Sequence, residues 1–118
     1  MAAALACLAE LEASEAVGHM ARIGTRLRDG MVGQAAVHGF EVRYTGPPAM
    51  PFMTFAADGG SFERSRVFGA ACAARGVYLH PHHNWFVSAA LGDAEVARVL
   101  ESTAGAVADG ARAPEHQR

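Results

Sequence analysis

The sequence predicts an α+β fold: a short antiparallel or mixed sheet with helices packed on one face. Three observations carry that expectation. Apolar residues recur at intervals of three and four up to residue 37, then alternate with polar ones from Phe40. Proline and glycine clusters at 46–51 and 58–60 cut the middle of the chain into short pieces. The resulting order of helix, helix, strand, strand, helix, strand, strand, helix suits a small sheet covered by helices. At 118 residues the chain amounts to one domain. We read 1–109 as a single α+β domain, with a helical lead-in at 2–37, a sheet-and-helix part at 40–109, and 110–118 as a flexible tail.

Leu5, Leu8 and Leu11 stand among alanines, the best helix formers, so residues 2–12 are expected to be helical. Ser14 is placed to cap a second helix, along which Val17, Met20, Ile23, Leu27 and Met31 form one face. Gly18, Gly24, Gly30 and Gly33 each weaken that helix by up to about 1 kcal/mol relative to alanine, so it needs support from packing. Gly39 is its natural stop. Phe40 to Thr45 alternates as a half-exposed strand. The run Gly46-Pro47-Pro48-Ala49-Met50-Pro51 cannot be helical, because proline removes donors and biases its predecessor toward extended backbone. It forms a rigid corner leading into a second strand at 52–56.

Ser61 can cap a helix from about Phe62 to Arg75, with Gly76 closing it. Val77 to Leu79 and Trp85 to Val87 read as short apolar strands around the polar loop His80-Pro81-His82-His83-Asn84. Asp93 can cap a last helix whose face is Val96, Val99, Leu100, Thr103 and Val107.

Of the residues counted as hydrophobic, 26 are alanines, so the core is lean. The net charge is −2, and all ten basic residues are arginines scattered from Arg22 to Arg118. That pattern excludes a nucleic-acid-binding surface, which needs clustered cations. No uncharged stretch reaches the roughly 20 apolar residues of a membrane span. The first residues lack the basic region of a signal peptide, so the expected location is the cytoplasm. Cys7 and Cys72, far apart and without CxxC spacing, are expected to be buried packers, not a disulfide or a thiolate metal site.

His80, His82 and His83 invite a metal reading, since imidazole is a common zinc ligand. In an extended segment, however, His80 and His82 share a side while His83 points away, and the helical spacing of H-E-x-x-H is missing. No metal site is predicted. Ser88 or Cys72 paired with a histidine lacks any nucleophile signature, and no catalytic residue is assigned. The glycines do not form the Gly-x-Gly-x-x-Gly of a nucleotide loop, and no cofactor-binding residue is assigned either.

Taken together, Thr45-Gly46-Pro47-Pro48-Ala49-Met50-Pro51-Phe52-Met53-Thr54-Phe55, then Arg75-Gly76-Val77-Tyr78-Leu79-His80-Pro81, then Phe86-Val87-Ser88-Ala89-Ala90, followed by a helix, resemble the C-terminal part of class III aminotransferases dependent on pyridoxal 5′-phosphate (PLP). The branch most similar is that of glutamate-1-semialdehyde 2,1-aminomutase. The resemblance covers nearly the whole chain. It implies the small C-terminal domain of a fold-type I PLP enzyme, with PLP in the intact enzyme, a large PLP-binding domain as partner, and a homodimer. Where those aminomutases have a Pro-Ser segment with a glutamate, this chain has Pro81-His82-His83-Asn84. The resemblance implies that this loop lies near the substrate entrance, which makes His82, His83 and Asn84 candidates for shaping specificity.

PLP chemistry starts from a Schiff base between the cofactor aldehyde and a lysine amine. This sequence contains no lysine. The expectation is therefore a chain that is not competent alone, either as a fragment or small domain of an amino-transferring enzyme or as a non-catalytic binding module derived from that fold.

Overall fold

The computed structural model describes residues 1–112. Two helices come first, α1 (Ala2–Ala13) and α2 (Ala16–Val37), followed by strands β1 (Val42–Thr45) and β2 (Phe52–Phe55). A 3₁₀ turn (Ala56–Asp58) leads to α3 (Glu63–Ala73), and α4 (Asp93–Arg112) closes the described part. The architecture is α+β, as the sequence predicts. The end of α4 falls beyond Asp109, so 110–112, expected in the tail, are helical. The remainder of the expected tail lies outside the described residues.

β1 and β2 pair antiparallel, Val42 with Phe55 and Tyr44 with Met53. This register puts Val42, Tyr44, Met53 and Phe55 on one face, toward the helices. The core there consists of Met31, Met53, Phe55, Phe68, Cys72, Ala106 and Val107. Phe55 is its hub, meeting Phe40 edge-on at 5.9 Å and Phe68 at 5.7 Å.

Among the described residues the sheet has two strands, not four. Residues 85–87 do lie along the hairpin, with Trp85 N–H donating to the Pro51 carbonyl (2.8 Å) and Val87 N–H to that of Ala49 (2.9 Å). Pro51 has no N–H to return a bond to Trp85, so no ladder closes. Residues 77–79 are extended but serve the end of α3. Gly76, at φ 83°, turns the chain, its N–H donates to Ala73 and that of Val77 to Cys72, which is a Schellman closure.

The helix starts also differ from expectation. Ser14 ends α1, its hydroxyl donating to the Glu10 carbonyl at 2.6 Å, and Glu15 in the left-handed region (φ 52°) turns the chain into α2. At α3 the cap is Asp58, whose carboxylate accepts from Arg64 N–H (3.1 Å) and Ser65 N–H (3.3 Å), while Ser61 Oγ is 3.4 Å from Glu63 N. At α4 the Gly92 N–H donates back to Glu95 Oε2 (2.8 Å), half of a capping box, and Asp93 instead pairs with Arg26.

Two glycines of α2 mark close approaches. A Cβ on Gly24 would lie 1.9 Å from the Pro48 carbonyl oxygen, and one on Gly30 would lie 2.5 Å from the Leu100 side chain. The hairpin turn and α4 thus reach α2 where the missing side chains allow it. Further along, Thr103, fully buried on α4, donates to Gln34 Oε1 at 2.7 Å, and Gln34 Nε2 donates to the Leu100 carbonyl.

α1 is different. None of its residues is buried, and Leu5 and Leu8 are 62% and 63% exposed. Cys7, expected inside, is exposed, whereas Cys72 is completely buried.

Candidate functional site

The chemistry-bearing side chains gather where the 77–87 segment crosses the hairpin and α2. Pro81 turns the backbone immediately after His80, so this loop is not extended. The His80 ring consequently lies between those of His82 (4.6 Å between centroids) and His83 (5.7 Å). This corrects the expectation that His83 points away. The cluster is nonetheless internally engaged. His82 N–H reaches His80 Nδ1 at 3.4 Å, and His83 Nδ1–H donates to the Asn84 carbonyl at 2.8 Å. Among the described residues no three metal-ligating side chains are grouped to hold an ion.

The loop is anchored by Trp85. Its indole N–H donates to the His80 carbonyl (2.9 Å), closing the loop on itself, and its ring meets Tyr44 edge-on at 6.4 Å. Tyr44 in turn donates its hydroxyl to Met31 Sδ at 3.3 Å. Burial pushes the Tyr44 phenol well above the ordinary tyrosine range, with the nearby Arg28 guanidinium opposing the shift. It stays protonated at any physiological pH.

These groups border a groove of about 450 Å³. One wall is α2, through Gly24, Leu27, Arg28 and Met31; another is Tyr44 with Pro51; the third is 77–80 with 83–86, and Leu91 and Val99 complete it. Apolar walls with few polar groups and a volume between about 300 and 1,000 Å³ describe a small-molecule site. Of the three residues singled out from sequence, His83 and Asn84 line this groove. His82 does not. It faces a separate shallow depression with Phe52, shared by His83 and Asn84.

Sequence reasoning passed over Arg28, Tyr44 and Trp85. The signal for the first was present: Gly24, Leu27, Arg28 and Met31 recur at helical spacing, and the tight approach at Gly24 brings that face to the hairpin.

No known family profile matches the chain. Over 103 residues it is 39% identical to the aminopentol aminotransferase of Sphingopyxis macrogoltabida, a match covering 87% of this chain and 24% of that one. Among solved structures, the FumI protein of Sphingopyxis sp. MTA144, in its PLP internal aldimine form, superposes with a TM-score of 0.75 at 39% identity. That match covers 78% of this chain and 22% of the other. The chain thus spans less than a quarter of the length of these relatives.

An internal aldimine is a Schiff base on a lysine amine, and this sequence has none. Its own residues therefore do not hold PLP in that form. The chain is thus similar, over most of its own length, to about a quarter of an aminotransferase and of a PLP-bound protein.

Proposed function

We propose that this chain forms the small-domain part of a PLP-dependent, class III enzyme that moves an amino group, acting with a large domain that carries the PLP lysine. The observation that carries this reading is the 39% identity sustained over 103 residues, with a matching fold at TM-score 0.75. Of the two chemistries the sequence suggests, transfer between an amino donor and a carbonyl acceptor is favoured over an aminomutase, since the Sphingopyxis macrogoltabida relative is an aminotransferase. In this reading His83 and Asn84 face the substrate entrance from the groove, and His82 shapes its outer lip. The assembled enzyme is a homodimer in the cytoplasm. Among the described residues no helix is long and apolar enough to cross a membrane.

The test is co-expression of the chain with the lysine-bearing remainder of the Sphingopyxis relative, followed by a visible spectrum with PLP before and after borohydride. A protein-bound PLP band that appears only in the mixture supports the proposal, and its absence there counts against it. One observation favours a second reading, a binding module that kept the fold without the chemistry: the sequence has no lysine at all. A stable monomer that never associates with the lysine-bearing part is what that reading requires.

A further inference from the structure

We propose that the groove between α2, the hairpin and the 77–86 segment binds an aliphatic carboxylate, its hydrocarbon chain along the apolar walls and its carboxylate at Arg28. The groove is the one read above as bordering the substrate entrance, so its role in the enzyme rests on that reading, while binding itself is tested on this chain.

Three features carry the proposal. The walls offered to a ligand are hydrocarbon and aromatic, from Leu27, Met31, Val99 and Trp85, which suits a chain with no polar groups along its length. Among the described residues lining the groove there is no Asp or Glu, and Arg28 is the one guanidinium. The charged side chain lining the groove is thus a cation, which gives an anion a charge-assisted partner that a cationic ligand lacks. Arg28 is also positioned for this. Its ion pair runs through Nε to the exposed Asp29 carboxylate at 3.2 Å, a weak surface contact that a ligand can replace. Arg28, Tyr44 and Trp85 line the same groove, so a carboxylate held at Arg28 shares it with the Trp85 indole. Tyr78 and Phe86, 78% and 68% exposed, are aromatic lining residues open to solvent at the groove.

Trp85 is the single tryptophan of the sequence, so its emission reports on the groove alone. The 118-residue chain is titrated with hexanoate, octanoate, decanoate and dodecanoate below their micellar concentrations, with decylamine and decanol alongside, while circular dichroism follows helix content. The expected result is a blue shift of Trp85 with Kd falling about three- to fourfold per added methylene. Decanoate should bind about two- to fivefold more tightly than decylamine. Arg28→Gln should bring decanoate to the level of decanol while the dependence on chain length persists. A Kd independent of chain length, amine binding equal to that of the acids, or a shift that appears only with loss of helix would each overturn the proposal.

Discussion

Gly24 and Gly33 lie on the same helix and carry opposite consequences. At Gly24 an added methyl would meet a backbone carbonyl that has no flexible end to move, so Gly24→Ala should cost about 1–3 kcal/mol. At Gly33 nothing lies within 4 Å, so Gly33→Ala should gain about 0.5–1 kcal/mol from helix propensity alone. Urea unfolding of the two variants checks the pair. Sequence shows both as helix-weakening glycines and cannot separate them, because the Pro48 carbonyl comes from a distant turn. The same holds for the cysteines. Burial pushes the Cys72 thiol up to about 12, against which the Arg75 charge works only weakly, while Cys7 is exposed on α1. A thiol reagent at pH 8 should therefore label one cysteine in the native chain, on the peptide ending at Arg22, and both in urea. Native labelling of Cys72 would contradict the packing described.

At the scale of elements, local signals were legible and non-local ones were not. The hairpin was, because alternation around Val42 and Tyr44 and around Met53 and Phe55 is written in adjacent residues. The caps lie one to three positions from the residues the sequence favours, because Ser14, Ser61 and Asp93 are all chemically competent and tertiary geometry decides among competent residues. The apolar run 85–87 has strand composition, but it donates to the Pro51 and Ala49 carbonyls without a returned bond, and Pro51 has no N–H to return one. The histidine loop is legible as a loop, but which rings meet within it is not, because the turn at Pro81 leaves no periodic signature. For α4, hydrogen bonding from the Gly92 N–H holds the Glu95 carboxyl below its usual range. A carboxyl that titrates lower when folded contributes fully above the unfolded value and loses that contribution as pH falls through the folded one. Glu95→Ala should thus flatten the acid limb of the stability curve and leave the curve above neutrality parallel to that of the parent. Thermal unfolding between pH 3 and pH 7 measures it.

At the scale of the molecule, one end is left uncovered. α1 is apolar on nearly all sides, a composition normally found inside a protein, yet none of its residues is buried. Leu5 and Leu8 on α1 and Val17 (67% exposed) at the start of α2 leave apolar side chains open to solvent. Isolated helices of this length are marginal in water, so the chain alone should self-associate or bind hydrophobic dyes. Leu5→Lys with Leu8→Lys should reduce both without changing the unfolding midpoint, as sedimentation and thermal melts would show. The groove was only partly legible at this scale too. The resemblance makes His82, His83 and Asn84 candidates for a substrate entrance; the fold puts His83 and Asn84 on the groove and His82 off it, while Arg28 and Tyr44 come to it from elements brought together by the close approach at Gly24. The central claim is that this chain can stand in for the matching quarter of a PLP-dependent aminotransferase. The most direct measurement replaces that segment of the Sphingopyxis relative with this chain and records visible absorbance and amine transfer of the purified chimera. Retained PLP absorbance with measurable transfer is the predicted result. A folded chimera without bound PLP, or one that fails to accumulate where the parent does, would contradict it.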